Sequence, residues 1–279
     1  MLSCDKGRQQ ITRRFQKPLR YNISMIESQI ELSREEMRLA AVDPLSIAER
    51  LEFAAYTATS FKGLGEKLFV CGHILGTDRR EGVSPFGHGD DAVVAVSMLL
   101  HIASELVSGC ADLISTDRHY AGASLVRQLV EVEYLAWAFE KNDEESRRWL
   151  RSTREERQKF FAPAKLRKAA NGHFRSADYS FHCELGGHPV PGSWRLLNGA
   201  EETGQLMLSD CLCHSTHIWN HVLGWATNYN VSDKAFVDMV LGDGATDTIK
   251  EMRRRHDKWR KIDRLTNLPP PPVEDLLRC

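Results

Sequence analysis

Four ionisable side chains stripe one face of the segment from Asp210 to His221, which reads DCLCHSTHIWNH. At 100° per residue, a helix here places His217 and His221 within about 20° of Asp210, and His214 about 40° from it. Leu208, Leu212, Trp219 and Val222 fall on the opposite face. Imidazole and carboxylate groups suit zinc, iron or nickel, so Asp210, His214, His217 and His221 form one candidate divalent-metal site. The competing reading is a polar helix face whose histidines satisfy buried amides.

A second concentration of chemistry lies in YSFHCELGGHPVPGSW, Tyr179 to Trp194. A helix over 176–185 would end at Gly186-Gly187, and Pro189 and Pro191 would stop it restarting. On an unbroken helix His182 and His188 would stand about 240° apart, so only the glycine turn can bring them together. Adjacent glycines also permit close backbone approach to a ligand. His182-Cys183-Glu184 matches half of the zinc-deaminase signature, but the Pro-Cys-x-x-Cys half is missing, since one residue separates Cys211 from Cys213. That excludes the deaminase reading. The third cluster is Arg127 with Glu131 and Glu133, set in an apolar helix beside Leu125, Val126, Leu129 and Val130. Charges there must be paired internally or functional.

These groups need helices to position them, and helical signals dominate the chain. Asp43-Pro44 is a capping acid before a first-turn proline, leading into LSIAERLEFAAYTATS. Residues 89–115 read as a long, mostly buried helix. Ser115 to Asp117 are expected to cap a second, running to Lys141, with Leu125, Leu129, Val132 and Ala136 at helical spacing. NDEESRRWLRS starts with acids and ends with arginines, as the helix dipole prefers. Further helices are expected over 153–170, closing at Asn171-Gly172, and over 201–229 and 245–264. Residues 67–75 read either as a strand without a partner or as buried helix. Residues 76–91 are a Gly/Pro-rich loop, and NLPPPPVEDLLRC is an extended polyproline tail. The expectation is an all-α, multi-helix bundle. Its parts are an N-terminal helical extension with the loop (1–85), a core bundle holding the candidate site (86–230), and a basic helix with the tail (231–279).

The 279 residues are 42% hydrophobic and 27% charged, a globular composition. The net charge of −1 hides basic segments at 1–20, 147–175 and 250–264. A basic stripe at 147–175 could hold RNA phosphates, or it could be a solvated face balanced by acidic neighbours. Seven cysteines, odd in number and scattered, form no disulfide framework and fit reduced thiols in the cytoplasm. No apolar leader opens the sequence, and the longest apolar run, Ala92 to Leu100, is short for a membrane span.

The segments SLVRQLVEVEYLAWAFEKNDEESRRWL, YSFHCELGGHP and DCLCHSTHIWNHV together resemble a bacterial family of uncharacterised all-helical proteins, over about residues 90–230. The helical layout of that family is similar to that of HEPN proteins, many of them metal-independent ribonucleases in toxin–antitoxin and anti-phage systems. The resemblance implies an HEPN-like core, a homodimer, and RNA cleavage or binding. In that chemistry Arg127 or Arg175 would bind phosphate, His182 or His188 would act as general acid and base, and Glu131 would orient the arginine. Arg167 with His173 and Arg175 with His182 both have the Arg-to-His spacing of such nucleases, although chance alone supplies spacings of that kind in this composition. No cofactor is expected on that reading. The alternatives are a metal-dependent hydrolase or oxidase at Asp210, His214, His217 and His221, with an ion such as zinc, and a non-catalytic subunit that binds a protein partner encoded in the same operon.

Overall fold

The Asp90 carboxylate accepts from the amides of Ala92 and Val93, which carbonyls inside the helix cannot reach, and so starts the most buried helix of the molecule. The computed structural model describes residues 39–74, 90–174, 176–197, 201–228, 234–263 and 265. Of the loop expected at 76–91, residues 76–89 lie outside them, and Asp90 and Asp91 belong to the cap and first turn of the helix; the tail beyond 265 and the basic segment 1–20 also lie outside.

Ten helices and no strand occur among the described residues. They are α1 (Pro44–Ile74), α2 (Asp91–Ile114), α3 (His119–Lys141), α4 (Asp143–Arg151), α5 (Arg154–Glu156), α6 (Pro163–Ala169), α7 (Ser176–His182), α8 (Trp194–Leu197), α9 (Glu201–Asn228) and α10 (Lys234–Ile262). The all-α bundle expected from sequence is the fold. Asp43 caps α1 by accepting from the Ser46 amide at 2.9 Å. The ambiguous stretch from Lys67 continues α1, so of its two readings the helical one holds. The single helix expected over 153–170 is broken. α5 passes into a π-helical turn, Arg157–Phe161, and α6 restarts at Pro163, whose ring cannot continue the preceding helix. Asn171 and Gly172, at φ 46° and 88°, close it as expected. The last helix begins at Lys234, earlier than its charge pattern indicates.

α1 and α2 pack antiparallel along a seam of small residues seven apart. Ala58, Gly65 and Gly72 on α1 meet Ser104, Ser97 and Asp90. The Ser104 and Ser97 hydroxyls each donate at 2.8 Å to the carbonyls of Ala58 and Gly65, and the Asp90 amide donates at 2.7 Å to Gly72. A Cβ on Gly72 would lie 3.0 Å from the Val94 backbone nitrogen, so only glycine allows this approach. α2 is long and apolar enough to cross a membrane, with a mean hydropathy of 1.7, but 67% of that stretch is buried by its neighbours. Its apolarity is that of a central core helix.

α3 and α9 lie side by side and parallel. His119 meets Gly204, Gly122 meets Met207, Glu133 meets His217 and Glu140 meets Gly224, so the two helices advance in step. α10 runs antiparallel to α1 and is fastened to it by Arg50, whose guanidinium spans both Asp263 oxygens at 2.7 and 3.0 Å. Both side chains are fully buried. The Ala40 and Ala41 carbonyls and Gln205 accept the other Arg50 donors, and Ser209, Trp259 and the Leu265 amide donate to Asp263, so this charge pair sits inside a completed hydrogen-bond network.

Candidate metal centre

His214 of α9 faces α3, and its Nδ1 lies 2.5 Å from Glu133 Oε2. Glu133 is buried, and its other oxygen is 3.1 Å from His217 Nδ1. Donation from Nδ1 to Glu133 fixes the His214 ring and points Nε2 at α7. There it meets His182 Nε2 at 3.3 Å. Two carboxylates close on the same point. Asp210 approaches His214 Nε2 at 3.5 Å and His182 Nε2 at 3.6 Å, and Asp178 approaches His182 Nε2 at 3.7 Å.

Those spacings match a coordination shell. Two ligand atoms about 2.1 Å from one tetrahedral ion stand about 3.4 Å apart. His182, His214 and Asp178 offer ligand atoms that all lie within 4.8 Å of one another, and Asp210 reaches each imidazole with a different oxygen, at 3.6 and 3.5 Å. The set Glu133, His214 and His217 is also clustered, but its 2.5 Å Glu133–His214 contact leaves no room for an ion between the two atoms. It is a hydrogen bond, and Glu133 stands behind His214 in the carboxylate–histidine arrangement that orients metal ligands.

The electrostatics of the cluster agree with this geometry. Burial pushes the Glu133 carboxyl up, but the His214 charge and the hydrogen bonds from His214 and His217 outweigh it and hold the group well below its usual range. Burial pushes His214 down, yet Glu133 and Asp210 raise it to about 10. Burial keeps His182 below its ordinary value despite Asp210. A protonated His214 can therefore donate Nε2–H to the free lone pair of a neutral His182. Removal of that proton leaves two lone pairs aimed at one site. Asp178 and Asp210 are each about one-third exposed, at 36% and 35%, and form the solvent side of an otherwise buried cluster.

Of the residues singled out in the sequence, the structure brings Asp210 and His214 together, and adds His182 from a different helix. His217 is more than half exposed and shares Glu133 without reaching the cluster centre. His221 pairs with Glu140 at 2.7 Å, one turn-pair further along the same seam. Arg127 and Glu131 form their own ion pair at 2.8 Å. Tyr179 joins them, accepting from Arg127 at 3.2 Å and donating to Glu131 at 2.9 Å. Burial and the Glu131 charge push the Tyr179 phenol up to about 12. His188 is exposed on the turn after Gly187 and joins neither group. Arg175 lies outside the described residues. In the basic segment, Arg147, Arg148 and Arg151 face Asp143, Glu144, Glu145 and Asp91.

Asp178 was not singled out by sequence, although it stands four residues before His182 on one helix face. Glu140 and the partnership of Glu133 with the histidines also went unseen, because they depend on which helix lies beside α9. The double-glycine turn does dock against α3, but its close approach is to backbone. A Cβ on Gly186 would lie 2.4 Å from the Ala123 carbonyl carbon, and Ser124 Oγ donates to the Gly186 carbonyl at 2.7 Å. No known family, curated protein or solved structure matches the chain, so its function is to be read from these residues.

Proposed function

We propose that this chain is a metal-dependent hydrolase, with one divalent ion of the zinc class held by His182, His214, Asp178 and Asp210. The observation that carries the reading is the meeting of two buried imidazole Nε2 atoms at 3.3 Å, flanked by two carboxylates at 3.5–3.7 Å. Glu133 sets the His214 tautomer and raises its basicity. The carboxylates, about one-third exposed, would leave one side of the ion open to water, where a bound water would lose its proton near neutral pH.

A metal-independent ribonuclease draws less support from this arrangement. It needs Arg127 or Arg175 and a histidine on one substrate, whereas Arg127 is held by Glu131 and Tyr179, His182 by His214, and His188 stands apart from both; Arg175 lies outside the described residues. We place the protein in the cytoplasm, where thiols such as the buried Cys71, Cys110 and Cys211 stay reduced.

The test is elemental analysis of the full chain, followed by zinc titration against a competing chelator. Wild type should bind one ion per chain. His182→Ala and His214→Ala should lose it, and His188→Ala should keep it. Wild type with no stoichiometric ion after titration removes the proposal.

A further inference from the structure

Tyr179, beside the ligand Asp178 in sequence, is flanked by two arginines. Arg127 reaches its hydroxyl, and the Arg167 guanidinium stacks 4.2 Å from its ring centroid. Arg127 has Glu131 as a counter-ion. Arg167, half-buried on α6, has no carboxylate partner among the described residues. One of its terminal nitrogens is buried and makes no well-formed hydrogen bond, with the Tyr134 hydroxyl as its neighbour, and Arg127 Nε is buried likewise, with the Cys183 thiol near its guanidinium. Buried guanidinium N–H groups without acceptors are rare, because the lost hydration is not replaced. An unmatched guanidinium stacked on an aromatic face is also the arrangement that recognises phosphate or carboxylate oxygens.

The neighbourhood ties this cation to the proposed centre. Burial pushes the Tyr134 phenol up, the nearby Arg167 charge opposes that, and Asp178 adds to it. Arg167 and Asp178 therefore act on the same phenol. One helical turn along α7 from Tyr179 stands His182.

We propose that Arg167, stacked on Tyr179 and without a carboxylate of its own, is an oxyanion subsite that receives a phosphate group of the substrate next to the metal centre. This rests on the metal reading only for the subsite's role in catalysis. The anion contact itself depends on Arg167 alone. Phosphate fits the site because its oxygens accept two parallel N–H bonds from one guanidinium fork.

The experiment measures thermal stabilisation and calorimetric binding of inorganic phosphate by the full chain, at ionic strength held constant with chloride. Zinc content is assayed in the same samples. Wild type should show saturable binding that Arg167→Gln weakens roughly tenfold or more. Arg167→Lys should recover part of it, and His182→Ala, which removes a metal ligand, should retain it. Binding that is absent in wild type, or equal in Arg167→Gln, overturns the subsite. Wild type without zinc but with Arg167-dependent phosphate binding leaves the subsite standing and removes the metal reading. Competition by single-stranded RNA, lost in Arg167→Gln, would assign the phosphate to a nucleic-acid backbone. Competition by a nucleoside monophosphate alone would assign it to a small substrate.

Discussion

Replacing Glu133 by Gln separates a residue that orients a ligand from one that is a ligand. Gln keeps the shape and one carbonyl acceptor, so the His214 ring can stay in place, 2.5 Å from its partner in wild type. What disappears is the negative charge that raises His214. Loss of such an outer carboxylate lowers metal affinity about 10–100-fold, or about 1.4–2.7 kcal/mol. His182→Ala, in contrast, takes away one of two nitrogens and should abolish stoichiometric binding. His217→Ala should change the affinity little, because that ring touches only the far oxygen of Glu133 and is 55% exposed. Competition titration with a zinc-binding dye on the full chain reads all three variants. If Glu133→Gln and His217→Ala both abolish binding while His182→Ala keeps it, the ion sits on the other side of His214 and the geometry argued here is wrong. An unchanged affinity in Glu133→Gln would equally refute its orienting role.

Three more outcomes are expected. Asp263→Asn leaves the fully buried Arg50 without a counter-ion, which should cost about 3–5 kcal/mol in urea denaturation; a loss under about 1 kcal/mol would show that the network relaxes around the amide. Gly186→Ala drives a Cβ into the α3 backbone, so it should cost about 1–3 kcal/mol and release bound zinc as α7 moves; wild-type stability and zinc content would show that α7 is not seated there. In the chelated protein, His214, raised to about 10, contributes stability that is complete below its ordinary 6.5 and fades as pH rises through that raised value. Glu133, held below its ordinary 4.5, contributes above that value and loses it as the pH falls further. The gap in unfolding free energy between wild type and Glu133→Gln should therefore be widest near neutral pH and shrink toward both extremes; a gap independent of pH would rule out the buried ion pair.

How much of this was legible in the sequence depends on whether a feature is local. The Asp43-Pro44 start, the apolar run of α2 and the extent of α9 are written in neighbouring residues, and the structure has them. The seam of Ala58, Gly65 and Gly72 is not, since three small residues seven apart acquire meaning only with Ser104, Ser97 and Asp90 opposite them. The same division runs through the site. Helical spacing placed Asp210 and His214 on one face correctly. It could not tell that α3 would take His217 and His221 with Glu133 and Glu140, or that His182, 32 residues before His214, would arrive from α7 to replace them.

The location of the cluster follows from the topology. α3 and α9 are parallel neighbours, so the chain leaving the end of α3 must travel back before α9 can begin. That return, as described up to residue 197, carries short helices and two π-helical turns, Arg157–Phe161 and Cys183–Gly187, of a kind the long helices lack among the described residues. α7 belongs to it and rests on the α3–α9 seam, where Gly186 removes the side chain that would hold it off. Two faces of the cluster are therefore built on long packed helices, with Glu133 and His214 fixed and buried. The third comes from a short segment whose Asp178 stays partly in water. A rigid wall orients one imidazole, and a lighter element brings the second imidazole and a carboxylate against it. An ion bound between them would join that segment to the bundle, which links metal occupancy to the position of α7.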